Sequence, residues 1–235
     1  MQRGEIMENR LILYHGSERE VSKPNLKAGK KNNDYGRGFY CTMQYDLACE
    51  WASKHKGLEG FVNKYELDLD ELSILDLTSK KYNILHWMTL LLQHRTFALM
   101  NPISVEARTY LGAHFDIPLK EYDLIKGYRA DDSYFSFAED FLNNTISVQH
   151  LAKAMKLGDL GIQYVLISSR AFEQLHYLGA EQVDNQIYYP RYNSRDVEAR
   201  NKYKRSKINL SVASNELYVL DILRGGIIDG DPRIP

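Results

Sequence analysis

Residues 11–17, Leu-Ile-Leu-Tyr-His-Gly-Ser, decide the course of the fold. The run at 11–14 is apolar and of strand length, and His15, Gly16 and Ser17 follow it directly. Short apolar runs bounded by turn residues are typical of buried strands. The segment therefore predicts a buried strand that ends in polar groups, an arrangement suited to a functional site.

Two more segments place glycine or polar residues beside a predicted strand. Residues 36–42, Gly-Arg-Gly-Phe-Tyr-Cys-Thr, predict a glycine turn followed by a strand at 39–42. Residues 161–167, Gly-Ile-Gln-Tyr-Val-Leu-Ile, have the clearest strand pattern in the late part of the chain. Glycine at such turns lets the backbone approach a ligand closely.

The rest of the chain predicts a mixture of helices and strands. Leu47 and Trp51 lie on one side of a predicted helix at 46–56, directly after the glycine turn. The other predicted elements are strands at 61–67, 73–77 and 122–128, helices at 84–99, 105–111, 133–142 and 147–157, and a helical turn at 168–175. The main body is expected to end near residue 190.

Composition narrows the classes of partner. Thirty basic and 31 acidic residues give a formal net charge of -1, so no whole-chain field attracts nucleic acid or anionic lipid. The two cysteines, Cys41 and Cys49, are too few for a disulfide framework and lack the spacing of a zinc site. We therefore expect no metal site. The chain also has no apolar signal core and no apolar run of membrane length, so we expect a cytoplasmic protein without a membrane partner.

Taken together, the three segments resemble the signature of the ADP-ribosyltransferases, in particular the poly(ADP-ribose) polymerase-like branch. That signature comprises His-Gly-Ser/Thr, a Gly-Lys-Gly-Ile-Tyr-like turn and a Glu-Tyr-Ile-Val-like strand. Trp51 follows Tyr40 by eleven positions, as a second aromatic residue does in that branch. The chain also resembles, over 11–178, an uncharacterised bacterial domain family of this superfamily with Tyr-His-Gly-Ser, Gly-x-Gly-Phe-Tyr, Arg-Ala-Asp-Asp and Leu-Gly-x-Gln motifs.

The resemblance implies an α+β fold, in which a split antiparallel β core has helices packed outside and an NAD+ cleft between its sheets. Tyr40 and Trp51 would hold the flat nicotinamide cation by stacking and cation–π attraction. The backbone of Gly16 would meet the carboxamide, and His15 the adenine-side ribose. The implied catalytic residues are His15, Tyr40 and Gln163, and the implied NAD+-binding residues are His15, Gly16, Ser17, Gly38, Tyr40, Trp51, Arg129 and Asp132.

Gln163 departs from the family pattern, because catalytic members have a glutamate at this position. Glutamine keeps a hydrogen bond but brings no charge and cannot act as a base. Ala48 is a second departure, since the polymerases commonly have serine there. Asp131 and Asp132 are candidates for the missing charge, although adjacent acids before a helix also fit N-capping.

These features leave three functions open. The first is a mono-ADP-ribosyltransferase that uses NAD+ as substrate and modifies a protein or nucleic-acid acceptor, with a bacterial toxin or defence effector as its candidate setting. The second is a pseudoenzyme module that binds NAD+ or ADP-ribose, and the third is an NAD+ glycohydrolase. A cognate antitoxin or regulatory protein is a candidate partner.

Two parts of the chain are expected on either side of residue 190. Residues 1–190 would form the ADP-ribosyltransferase-like NAD-binding domain. Residues 191–235 would form a charged linker, rich in Arg and Lys up to 207, and a small C-terminal helical appendage. The charged run has the composition of a solvated helix or linker.

Overall fold

Two separate β-sheets carry the strands of the computed structural model, which describes residues 9–99, 101–129, 132–157, 161–208 and 216–235. The first sheet is antiparallel and consists of β1 (Arg10–Ser17), β3 (Gly60–Asp68) and β7 (Leu175–Val183), in the order β1-β3-β7. The second has the order β2-β6-β5-β4 and consists of β2 (Phe39–Cys41), β4 (Ile74–Asp76), β5 (Leu124–Tyr128) and β6 (Ile162–Leu166). Only the β4–β5 pair in this sheet is parallel.

Among the residues that the structure describes, a single backbone bridge joins the two sheets. The N–H of Tyr14 in β1 donates to the carbonyl of Thr42 (2.7 Å), and the N–H of Thr42 donates to the carbonyl of Tyr14 (2.9 Å). Beyond Tyr14, β1 runs on to Ser17 without a further bridge to β2 among the described residues. The last residues of β1 therefore lie at the opening between the sheets.

Eight helices among the described residues surround the sheets: α1 (Tyr45–Ala52), α2 (Ile84–His94), α3 (Pro102–His114), α4 (Asp132–Leu142), α5 (Val148–Leu157), α6 (Ser169–Glu173), α7 (Asn185–Ile208) and α8 (Val219–Gly225). Residues 84–92 of α2 are all buried, including the polar His86 and Thr89. This helix forms the centre of the largest hydrophobic core with α3, α4, α5 and α8.

The predicted mixture of helices and strands is confirmed, and the architecture is α+β with two sheets. Asn83 caps α2, its side chain accepting a hydrogen bond from the N–H of Leu85 at 3.0 Å. Ser147 accepts a hydrogen bond from the N–H of His150 (3.2 Å) and so caps the start of α5. None of the described helices is long and apolar enough to cross a lipid bilayer.

One strand, β7, was not predicted from the sequence. The sequence of β7 does not alternate between apolar and polar residues along its length. Only Val183 of this strand is buried. The strand forms because its backbone pairs with β3 along nearly its whole length, including an irregularity between Lys64 and Tyr65. Pairing with a neighbouring strand, not an apolar pattern of its own, defines this edge strand.

The segment after residue 190 is a helix, one of the two alternatives that its composition left open, and not a linker. Residues 185–208 form one helix of 24 residues, α7, so the expected boundary at 190 falls inside it. Arg195 reaches back from α7 to α1 and donates two hydrogen bonds to the carboxylate of Glu50, both at 2.7 Å. This contact fastens the first part of α7 to the main body.

The predicted C-terminal helix is present as α8, and it belongs to the main core. Val219 and Ile222 of α8 are fully buried, and Leu217 and Ile227 beside it are nearly so. All four are part of the same core cluster as α2. The helix therefore completes the core and is not a separate appendage.

Candidate functional site

A cavity of about 590 Å³ lies where the two sheets approach each other. The end of β1 lines it on one side, and β2, β6 and the loop before β2 line it on the other. Ligand pockets in proteins are typically about 300–1,000 Å³, so the cavity has the size of a site for a small molecule.

Close packing at Gly16 sets the position of Trp51. A side-chain carbon at Gly16 would lie 1.9 Å from the carbonyl oxygen of Ala48 and 2.9 Å from Cβ of Trp51. Glycine is therefore required for α1 to cross β1 at this point. Because α1 crosses here, Trp51 stands beside the end of β1 and lines the cavity.

The backbone of Gly16 faces the cleft, as the register of β1 shows. Tyr14 uses both of its backbone groups to bridge Thr42, so its pair with Lys64 of β3 has no hydrogen bonds. Hydrogen-bonded and non-hydrogen-bonded pairs alternate along an antiparallel ladder, and the β1–β3 register is uninterrupted. The N–H and C=O of Gly16 therefore also point away from β3, where a ligand can meet one donor and one acceptor side by side.

His15 is neutral and oriented by one hydrogen bond. Its Nδ1 lies 2.7 Å from the carbonyl oxygen of Tyr40, which can only accept, so Nδ1 carries the proton. Burial lowers the pKa of the ring to about 4, the hydrogen bond to Tyr40 opposes this shift, and Lys54 adds to it. Nε2 is therefore an acceptor at neutral pH. The ring packs on Phe39 with a centroid distance of 4.4 Å.

The glycine turn before β2 is held by the phenol of Tyr40. Its hydroxyl donates to the carbonyl of Gly36 (2.7 Å) and accepts from the N–H of Tyr35 (3.1 Å). Gly36 has a φ of 73°, a conformation that favours glycine. A side chain at Gly38 would come within 2.5 Å of Val165 in β6, so this turn rests directly on the second sheet.

Gln163 contacts a carboxylate that the sequence analysis did not single out. Its Nε2 donates to Asp34 Oδ2 at 3.1 Å and to the carbonyl of Tyr128 at 3.3 Å. Asp34 and Gln163 are only 5% and 3% exposed. The other carboxylate oxygen of Asp34 lies 3.2 Å from Nε of Arg95, which follows α2. The three side chains form one network on the cavity wall, in which Asp34 and Gln163 are buried and Arg95 is half-buried.

Ser17 and the loop after β1 are organised by Asn63. This buried side chain of β3 donates to the carbonyl of His15 (3.2 Å) and to the hydroxyl of Ser17 (3.0 Å), and it accepts from the N–H of Val21 (2.6 Å). The Ser17 hydroxyl in turn donates to the carbonyl of Arg19 at 2.6 Å. Ser17 thus shapes the cavity rim through its loop contacts.

The cavity lining is strongly cationic. Among the described lining residues the charged side chains are Arg19, Lys30, Lys54, Arg95, Arg129 and one carboxylate, Asp34, so that five positive and one negative charge leave a formal +4. The whole chain carries -1. The guanidinium of Arg129 lies 5.2 Å from the centroid of the Trp51 ring. The site therefore suits a ligand that carries phosphate charge and an aromatic ring.

The structure brings together eight of the nine residues predicted for the site, and all of them line this cavity: His15, Gly16, Ser17, Gly38, Tyr40, Trp51, Arg129 and Gln163. The ninth, Asp132, begins α4, but its side chain lies outside the described residues, as does Asp131 altogether. Asp34, Arg95 and Asn63 were not predicted from the sequence to belong to the site. A charged residue at the end of an apolar helix was the available signal for Arg95.

The chain belongs to a family described as proteins of unknown function, DUF3990, whose model matches residues 11–177. This match includes every described cavity residue except Tyr192 of α7. Comparisons with curated proteins and with solved structures found no match.

Proposed function

We propose that this chain binds NAD+ in the cavity between its sheets and transfers ADP-ribose from it to a macromolecular acceptor, as a mono-ADP-ribosyltransferase. The observation that carries the proposal is the convergence of His15, Tyr40, Trp51 and Gln163, from distant parts of the chain, on one cationic cavity. We also propose that the two-sheet core is an ADP-ribosyltransferase-like split core. Its NAD-binding part extends beyond residue 190, because Tyr192 lines the cavity.

The chemistry of the lining fits the parts of NAD+. Five cationic side chains suit the diphosphate, whose two negative charges would otherwise lose the solvation of water. The acceptor Nε2 of His15 suits a ribose hydroxyl, which can donate. The N–H and C=O of Gly16 offer the donor and acceptor that a carboxamide requires. Trp51 and Tyr40 offer aromatic faces for the nicotinamide ring.

In this proposal Gln163 positions the ribose for the reaction and supplies no charge. Cleavage of the nicotinamide–ribose bond develops positive charge on the sugar, and an amide can hold a ribose hydroxyl but cannot neutralise that charge. This feature also supports a second candidate, a module that binds NAD+ or ADP-ribose and signals through a partner. An NAD+ glycohydrolase would use the same binding residues with water as the acceptor.

Incubation of the full chain with isotopically labelled NAD+ and a cell lysate distinguishes these functions. Label on a macromolecule indicates transfer, free ADP-ribose with released nicotinamide indicates hydrolysis, and binding by calorimetry without either product indicates the module. We expect Gln163→Ala to lower transfer by about 100-fold or more while the Kd for NAD+ stays within a few-fold, because a positioning residue acts mainly on the reacting geometry.

Gln93→Ala is the matched control, because Gln93 is exposed on α2 and contacts Asp116 outside the cavity. This variant is expected to behave as wild type in both assays. A folded wild-type protein that binds no NAD+ would disprove the proposal.

A further inference from the structure

The carboxylate of Asp34 is the one negatively charged group among the described residues that line the cationic cavity. Its side chain is 7% exposed, and a carboxylate this deeply buried stays ionised only with partners. Arg95 Nε lies 3.2 Å from Oδ1, and Gln163 donates to Oδ2 at 3.1 Å. Arg95 is itself anchored, because Nη1 donates to the carbonyl of Asn32 at 2.9 Å. The carboxylate is therefore held in place by both of its oxygens.

The amide of Gln163 has a definite orientation in this network. Both of its contacts, with the Asp34 carboxylate and the Tyr128 carbonyl, are to groups that only accept hydrogen bonds. The NH₂ group must therefore face Asp34. Position 163 on β6 thus brings a negative charge to the cavity through the neighbouring side chain of Asp34, although its own side chain is neutral.

A ligand that enters this cavity meets two opposite requirements. Its anionic groups are attracted by the five cations of the lining. A cationic group would be repelled by the same side chains unless it lay near Asp34, the one carboxylate among the described lining residues. NAD+ has both kinds of charge, whereas in NADH the nicotinamide ring is neutral.

Resting on the proposed function, we propose that Asp34 selects NAD+ over NADH and stabilises the positive charge of the reacting sugar. When the bond between ribose C1 and the nicotinamide nitrogen breaks, its electron pair leaves with the nitrogen and nicotinamide becomes neutral. The positive charge passes to C1 and the ring oxygen of the ribose. A lone pair of the acceptor then forms the new bond to C1, and the acceptor loses its proton to water. Asp34 acts throughout as a fixed charge.

Three variants test this role. Asp34→Asn removes the charge and keeps the shape. The double variant Asp34→Asn/Gln163→Glu exchanges carboxylate and amide across their hydrogen bond, so the network keeps one negative charge. Asp116→Asn makes the same chemical change at an exposed site outside the cavity. Calorimetry gives the Kd values for NAD+ and NADH, nicotinamide release gives turnover, and thermal unfolding checks the fold.

We expect wild type and Asp116→Asn to bind NAD+ more tightly than NADH. Asp34→Asn should reduce this preference by about tenfold or more, since one Coulomb interaction is removed at close range, and it should lower nicotinamide release. The double variant should recover the preference at least in part. A purely structural role for Asp34 would change both affinities together and leave their ratio unaltered.

Two results separate this inference from the proposed function. A wild-type protein that binds neither dinucleotide overturns both. A wild-type protein that binds NAD+, with an NAD+/NADH ratio that Asp34→Asn leaves unchanged, overturns only the role of Asp34. Should Asp34→Asn fail to fold, the double variant decides alone, because loss of its preference for NAD+ overturns the proposal and retention supports it.

Discussion

Gly16 is constrained from two sides. The sequence analysis attributed this glycine to the approach of a ligand, whereas the structure adds the backbone of α1, with the carbonyl oxygen of Ala48 1.9 Å from where a Cβ would lie. Its N–H and C=O face the cleft on the edge of β1. One residue therefore determines both the seating of α1 and the hydrogen-bonding edge of the site.

Gly16→Ala is expected to lower the free energy of unfolding by about 1–3 kcal/mol, because the added methyl group overlaps backbone that must move. The displaced α1 would carry Trp51 with it, so NAD+ affinity should fall as well. Urea unfolding and calorimetry measure the two effects. Gly112→Ala on α3 is the control, since its Cβ would meet no atom within 4 Å, and it should leave both quantities at or above the wild-type values. Equal stability of Gly16→Ala and wild type would contradict the packing argument.

Trp51→Ala is expected to weaken NAD+ binding by about 1–3 kcal/mol, because stacking and cation–π contact are lost. Trp51→Phe keeps an aromatic face and should lose less. Calorimetry on folded protein provides the test. An unchanged Kd for Trp51→Ala would remove this residue from the nicotinamide site.

The stability of the protein should depend on pH through His15. Its pKa is about 4 in the folded state against the ordinary histidine value of 6.5, so the unfolded chain binds more protons between these pH values. The contribution is complete above pH 6.5 and decreases as the pH falls toward 4. Because residue 15 as a whole is half-buried, we expect a loss on the order of 2 kcal/mol, less than the full shift would give.

Urea unfolding at pH 7 and pH 4.5 for wild type and His15→Gln measures this contribution. His86 and His94 also have lowered pKa values because of burial, and their effect is common to both proteins. The wild type should therefore lose more stability than the variant on acidification. Parallel losses would show that His15 does not titrate as its environment indicates.

At the scale of elements, α7 and β7 were the least predictable parts. The predicted linker is polar along its length, and no apolar stripe distinguishes it from a solvated segment. Helix α7 packs on the main body through particular polar contacts with α1. One of them is the hydrogen bond that the Tyr188 hydroxyl donates to Asp46 at 2.7 Å. Tyr192 then lies on the cavity, so α7 contributes to the site as well as to the body.

Arg195→Ala is expected to lower the free energy of unfolding by about 2–4 kcal/mol, because Glu50, whose side chain is 4% exposed, would keep a buried charge without this partner. Arg191→Ala is the matched control on the same helix. Its side chain is 55% exposed, with Nη1 3.7 Å from an exposed Asp46, so a loss of about 0.5 kcal/mol or less is expected. Equal effects of the two variants in urea unfolding would show that α7 does not depend on the Glu50 contact.

At the scale of the whole molecule, the net charge of the chain and the charge of the cavity lining have opposite signs. A chain of formal charge -1 concentrates five cations around one cavity. Whole-chain composition predicts no general attraction to polyanions, and it conceals a local field that suits a small phosphate-bearing ligand.

The affinity for NAD+ should therefore fall as ionic strength rises from 50 to 500 mM, by roughly three- to tenfold, since salt screens exposed charges beyond a few ångströms. ADP-ribose should behave similarly. Nicotinamide riboside, which has no phosphate, should show little dependence. Calorimetry at each salt concentration provides the measurement, and equal slopes for all three ligands would contradict the role of the cationic lining.

Local sequence by itself determined most elements and drew attention to several residues of the candidate site. The strands predicted at 11–14, 39–42 and 161–167 and the helices predicted at 84–99 and 147–157 have apolar patterns or caps that act within a few residues, so their existence follows from local physics. His15, Tyr40, Trp51 and Gln163 stood out because they adjoin these strands and the glycine turn. Their convergence on one cavity was implied by the resemblance and not by local pattern.

The tertiary structure alone decided which side chains complete the site. Asp34 and Gln163 are 129 positions apart, and only the packing of the two sheets brings the carboxylate of one within 3.1 Å of the amide of the other. β7 needed β3 as a partner, and α7 needed Glu50. These features rest on contacts between distant polar groups, whose strength depends on burial and geometry, and a linear sequence records neither.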